Sequence, residues 1–356
     1  MTRRLISIFL FLGLSAAAVP AQSAPSAELL ALAKRDRTLA IVDPTTLKVL
    51  AKLPSGPDPH EVVASTDGKL AFISNYGGGQ YHTITVIDLV EQKVRETVDV
   101  TPLSGPHGLW FAGGKLYFTA EVNKIIGRYD PATQKVDWLL GTGQNRTHMV
   151  VVTPGLDHIY TSNVNSGTIS LFEKTMMAGG PPPGGPGGPP PGAGNGGAPP
   201  PPPQARMDWN ETVLPAGRGS EGFDVSPDGR EVWAASAGDG TVTVIDVAEK
   251  KVAAILQAGV EGANRLKFTL DGKLVFVTSL RNGDLTVLDA ATRKVVKRIP
   301  VGHGAAGILM QPGGERAYVA CSPDNSIAVI DVKTLEVTGR IDVGNEPDGM
   351  SWAATE

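Results

Sequence analysis

Between Ala27 and the C-terminus the chain is written as short apolar runs separated by polar, glycine-rich turns. The stretch GFDVSPDGREVWAASAGDGTVTVIDVAEKKVAAILQAG shows the grammar. Phe223 to Ser226 reads as a strand, Pro227-Asp228-Gly229 turns it, and Glu231 to Ala235 reads as a second strand. Ala237-Gly238-Asp239-Gly240 is the next loop, followed by strands at Thr241 to Asp246 and Val252 to Leu256. Nowhere does the apolar spacing follow a helical period, so βα solenoids are excluded.

The unit repeats. A β-branched run, an acid, a turn and a charged residue before Val recur as LAIVDPTTLKV at Asp43, ITVIDLVEQKV at Asp88 and IGRYDPATQKV at Asp130. They return as VTVIDVAEKKV at Asp246, LTVLDAATRKV at Asp289 and IAVIDVKTLEV at Asp331. The spacings are 45, 42, 116, 43 and 42 residues, and the long gap holds a degenerate copy, TISLFEKT, with Glu173 in place of the acid. Residues 178–204, almost pure Gly and Pro, explain the surplus: an inserted loop within the fourth repeat, expected to be solvated, and not a domain boundary. Four short strands per unit with Asp-Gly turns predict an all-β, seven-bladed β-propeller of antiparallel blades. PDGMSWAATE supplies only an innermost strand, whereas the first segment from Ala27 lacks one, so the two termini should complete one blade together.

The second strand of each unit reads FISN (Phe72 to Asn75), YTSN (Tyr160 to Asn163), FVTS (Phe276 to Ser279) and YVAC (Tyr318 to Cys321). In this the chain resembles the YVTN-repeat seven-bladed propellers, which implies the fold and an exported or surface-layer setting. PHEVVASTDGKLAFISNYGGG (Pro59 to Gly79) is similar to lactonase-type propellers, and PHGLWFAGGKLYFTAEVNKIIGRYDPATQKV (Pro106 to Val136) to blades of streptogramin-type lyases. The latter resemblance implies metal-dependent chemistry by His and Glu at a channel mouth.

Composition adds the setting. Arg3 and Arg4 precede an apolar core, Leu5 to Leu14, and Val19-Pro20-Ala21 offers a cleavage site. Residues 1–21 therefore read as a signal peptide, residues 22–356 as one propeller, and the mature protein as periplasmic or secreted. No later segment is apolar enough to span a bilayer. Removing Arg3 and Arg4 takes the net charge from −4 to −6, and no basic block suggests nucleic acid. The lone cysteine, Cys321, cannot form an internal disulfide and reads as a buried small residue. A monomer is expected.

Candidate chemistry comes from phase. In a propeller the residue entering each innermost strand faces the channel mouth. Counting about 25 residues back from each repeat acid gives His60, His107, His148, Glu221, Asn264, Ala306 and, in the closing blade, Asp348. Three of the six histidines thus fall at one structural position in consecutive blades. Loops on the same face add Asn75, His82, Glu121, Asn163 and Asp239, with His303 on the rim, while His158 belongs to the opposite face. Histidine and carboxylate in one opening suit a divalent metal, for which His60, His107, His148 and Glu221 are the candidates. Arg146 and Arg265 could hold a carboxylate or phosphate.

A single histidine at such a position also serves simply to bond a neighbouring blade's backbone; three in register point to a small ligand, metal or protein partner. Binding or scaffolding is the leading expectation. An enzyme remains the alternative, a metal-assisted lactonase or lyase with Glu221, Glu121 or His148 as general base. A structural envelope protein is the third. No Ser or Cys nucleophile is set beside a His by the repeat.

Overall fold

The computed structural model describes residues 27–177 and 205–355, forming seven four-stranded antiparallel sheets. The proposed signal peptide and the Gly/Pro insert lie outside the described residues. Blades are numbered here by repeat copy. Blade 1 is the closing blade, in which Pro347–Ala354 is the innermost strand and Ala27–Ala33, Thr38–Asp43 and Lys48–Pro54 follow outward. Leu29 faces Trp352 and Leu30 faces Ser351, so the two chain ends are zipped into one sheet. The innermost strands of blades 2 to 7 are Pro59–Ala64, Pro106–Ala112, Thr147–Val152, Ser220–Val225, Ala263–Phe268 and Ala305–Met310.

Burial follows the hydrophobic pattern. Continuous apolar runs such as Leu274–Ser279 are covered on both faces, and outermost strands such as Lys135–Gly141 alternate exposed and half-buried. The core is a ring of layers between neighbouring blades: Phe276, Leu285 and Val287 of blade 6 pack on Ala317, Val319 and Ile330 of blade 7. Among the described residues no helix is long and apolar enough to cross a membrane. The repeat acid is a turn residue. Asp43, Asp88, Asp130, Asp246, Asp289 and Asp331 each accept a backbone N–H two or three residues on, fixing the turn between the third and fourth strands.

In blades 2 to 7 the innermost strand carries the same irregularity. In blade 2, Pro59 pairs with Asn75 and Val62 with Ile73, leaving His60 and Glu61 opposite the single residue Ser74. This is a β-bulge, a device that re-aims side chains. The matching bulges fall at residues 107–108, 148–149, 221–222, 264–265 and 306–307. A hydroxyl occupies four of them. Ser74, Thr119, Ser162 and Thr278 accept the N–H of Glu61, Gly108, Met149 and Arg265. Three of these then donate to the next blade, Thr119 to the His148 carbonyl, Ser162 to that of Glu221 and Thr278 to that of Ala306. The candidate positions are therefore fixed by hydrogen bonds at their own backbone.

Candidate functional site

Each residue of the anticipated ring is the second residue of its innermost strand, from His60 round to Asp348. The three imidazoles lie in a row: ring centroids of His60 and His107 are 5.2 Å apart with planes tilted by 48°, and those of His107 and His148 are 3.8 Å apart with planes tilted by 34°. Tyr76 stands edge-on to both His60 and His107, at 5.0 and 4.9 Å. His107 and His148 are each 2% exposed. Burial, reinforced by the nearby His148, holds the His107 pKa well below the usual imidazole value, so it is neutral.

Glu121 organises the buried side. It follows the second strand of blade 3 and meets His148 of blade 4 through its Oε1 and the ring Nδ1. In the neutral ring, a carboxylate partner places the proton on Nδ1 and leaves Nε2 as the lone-pair nitrogen. That Nε2, like Nδ1 of His107, is buried without a hydrogen-bond partner. Tyr76 donates to the other Glu121 oxygen at 2.5 Å, and burial together with Glu121 pushes the phenol up to about 12. Burial alone would raise the Glu121 pKa, but the bonds from His148 and Tyr76 and the Arg146 charge outweigh it and keep the carboxylate ionised. His107, Glu121 and His148 each present a ligand atom, and these atoms lie within 4.8 Å of one another. Because Glu121 sits on Nδ1 of His148, an ion taken by the free Nε2 together with His107 would have Glu121 orienting its ligand rather than binding it.

The other ring members face other partners. His60 has Asp58 at 3.4 Å on Nε2 and Asp348 at 3.4 Å on Nδ1, and Asp348 also meets Lys34 at 3.3 Å. Hydrogen bonding from His60 holds the Asp58 carboxyl below its usual range. Glu221 receives the Asn264 amide and lies 3.4 Å from Arg146 and 4.0 Å from Arg265. One residue further down the channel, Arg265 of blade 6 reaches across to Glu61 of blade 2 at 2.5 Å. Burial would lower the Arg265 pKa, but Glu61, Asp348 and Glu221 raise it and keep it charged. Beneath this pair lies a cavity of about 140 Å³ lined by Leu109, Trp110, Val150, Phe223 and Ile308. Apart from the imidazoles, the linked groups of the mouth are five carboxylates, Asp58, Glu61, Glu121, Glu221 and Asp348, against three cations, Lys34, Arg146 and Arg265.

A backbone register runs around the same ring. Two residues before every ring position the backbone is left-handed: Asp58 (φ 46°), Gly105 (67°), Arg146 (57°), Gly219 (70°), Gly262 (65°), Gly304 (56°) and Glu346 (56°). Glycine adopts this region freely and other residues pay for it. Blades 1, 2 and 4 nevertheless carry charged side chains there; Asp58 and Arg146 turn into the mouth, whereas Glu346 pairs with Arg35.

Of the remaining sequence candidates, Asn75 and Asn163 are fully buried and spend their amides on hydroxyls of their own blades, Thr83 and Thr85, and Thr168 and Ser170. His303 lies outside the cluster, its side chain 87% exposed and paired with Asp324. Asp239 holds Arg218 at the rim, and His82 is exposed. Cys321 is buried, which pushes its thiol up. Three contributors are additions to the sequence reading: Tyr76, Asp58 and Glu61. Asp58 and Glu61 flank a ring histidine by one or two positions, a signal available in the sequence. Tyr76 acts across a blade boundary, which no spacing reveals.

Comparison with known proteins supports the architecture. A model of the cytochrome D1 heme domain matches residues 219–307, about a quarter of the chain. No curated protein matches significantly. The chain is similar to a functionally unknown protein from Desulfotomaculum acetoxidans DSM 771 (TM-score 0.69, 12% identity, 92% of this chain and 99% of that one). It is similar to a putative 6-phosphogluconolactonase from Bacteroides uniformis ATCC 8492 (TM-score 0.68, 15% identity, 92% and 99%). It also resembles a dihydro-heme d1 dehydrogenase (TM-score 0.60, 16% identity), covering 91% of this chain and 65% of that one. At these identities the likeness is one of fold.

Proposed function

We propose that this is an exported, monomeric propeller that binds a divalent metal ion at the mouth of its channel, on His107 and His148 with Glu121 orienting the His148 ring, and presents it to a small molecule or protein partner. The observation that carries the reading is the pair of buried, unpartnered ring nitrogens, His107 Nδ1 and His148 Nε2, beside an ionised carboxylate. Buried polar atoms without partners are rare, and a neutral imidazole lone pair is a metal ligand. Charge agrees: five carboxylates against three lysine and arginine cations favour a dication over an anion. Two imidazoles, one of them held by a carboxylate, suit zinc and its neighbours in the first transition row. The partial match to a heme domain spans 219–307 and supports the fold. The YVTN-type reading of the second strands fits the same exported role.

The test is zinc titration of metal-stripped protein by calorimetry. A single high-affinity site, absent from His107→Ala plus His148→Ala, is expected; equal binding by the double variant would overturn the reading. A catalytic role has one specific observation in its favour. His148, held by Glu121 with Nε2 free, is arranged as a general base. Turnover of simple lactones by the metal-stripped protein, abolished in His148→Ala, would establish it.

A further inference from the structure

One level below the ring, few side chains cross the channel, and the packing of the blades decides which. In blades 1, 3, 5 and 7 the residue after the ring position is a glycine: Gly349, Gly108, Gly222 and Gly307. A Cβ on any of them would run into the ring residue's carbonyl in the next blade, that of His60, His148, Asn264 or Asp348. Only blades 2, 4 and 6 carry side chains at this level, namely Glu61, Met149 and Arg265. Glu61 and Arg265 join across the channel at 2.5 Å, so one ion pair, with Met149, forms a partition beneath the mouth.

On the far side of that partition the channel changes character. The cavity of about 140 Å³ found there is walled by Val63, Trp110, Val151, Phe223 and Ile308. Lys267, further along, is spent on Asp224 at 3.1 Å. The unused polar capacity lies in the roof. Arg265 Nη1 is buried without a hydrogen bond, and Glu61 bonds through only one of its two oxygens. The charge of that guanidinium is already met by Glu61, Asp348 and Glu221, so the roof offers hydrogen bonds and attracts no anion.

A donor beside an acceptor is matched by one hydroxyl, which accepts from the first and donates to the second. A lone water would turn its other bonds against apolar walls, whereas a cavity of about 150 Å³ with such walls takes a guest the size of benzene. Trp110 adds an indole for a ring to pack on. We propose that this lower chamber binds a compact, uncharged hydroxylated ring of phenol size, its hydroxyl between Arg265 Nη1 and Glu61 and its body among Trp110, Val151 and Phe223. The site stands apart from the metal reading, on the other side of the partition. Val63, Trp110 and Val151 are half-buried, which sets the entrance at the far end of the channel.

Calorimetric titration of metal-stripped protein with phenol tests this. One saturable site is expected. Benzene lacks the hydroxyl, and benzoate brings a charge that the paired guanidinium cannot take; each should bind about tenfold or more weaker than phenol. Val151→Trp fills the chamber from blade 4 and Val63→Phe from blade 2. Whichever of them keeps a cooperative thermal transition should lose phenol binding. Undiminished binding in such a folded variant overturns the proposal. So does a wild type without saturable phenol binding, or one that binds benzene or benzoate as tightly as phenol.

Discussion

Blades 2 to 4 and blades 6 and 7 share a backbone at the channel mouth and differ in what they put on it. On one side three imidazoles lie in a row, with Asp58 and Arg146 at left-handed positions and Glu121 and Tyr76 closing the contacts between blades. On the other, Asn264 and Ala306 occupy the ring, Gly262 and Gly304 take the left-handed turns, and the nearby His303 points to solvent. The bulge is present on both sides, and Thr278 serves blade 6 as Thr119 serves blade 3. The scaffold therefore makes no demand on the ring residue, and the imidazoles are chemistry added to a frame that stands without them.

The sharpest way to break the comparison is at the metal. His107→Ala with His148→Ala should lower zinc affinity by more than about 100-fold, while His303→Ala should leave it unchanged in the same calorimetric titration. Next in size is the ion pair joining the two sides. Glu61→Ala strands the buried Arg265 charge and should cost about 3–5 kcal/mol in denaturant unfolding. Asn264→Ala, which removes one bond to Glu221, should cost about 1 kcal/mol.

On the histidine side, acid should act through the buried His107. Unfolded, an ordinary imidazole titrates near 6.5, whereas folded His107 stays neutral well below that value. Above 6.5 neither state holds the proton; below it the unfolded chain binds one and the folded chain does not. Stability should therefore fall on acidification through this window, by up to about 1.4 kcal/mol per pH unit, until folded His107 itself protonates. His107→Gln should flatten that slope, measured by thermal unfolding across the pH range. The smallest effect is in the turns. Gly304→Ala would set a Cβ 2.6 Å from Pro323 Cδ and should cost about 1 kcal/mol or more.

The blades were legible because each strand states its own burial, continuous where two neighbours cover it and alternating at the edge. The ring was legible because His60, His107 and His148 keep phase with the repeat acid. What phase cannot carry is contact between blades. It ranked Glu221 beside the histidines, since the two adjoin in order, but the carboxylate that meets His148 is Glu121, projecting from the preceding blade's loop. The hydroxyls of FISN, YTSN and FVTS were visible as a motif, and their work at the bulge became apparent only when the strands were paired.

The closing blade has a consequence in time. Lys34 and Asp348, and Arg35 and Glu346, meet across more than 300 residues of chain. Asp348, which completes the surroundings of His60, lies on the strand laid down last. Contacts of such long range form late. Until they do, the exposed edge of Ala27–Ala33 has no partner, and the mouth lacks one of its five carboxylates. Assembly of the site thus reports on completion of the ring, and a chain halted before Pro347 would carry all three imidazoles without their full setting.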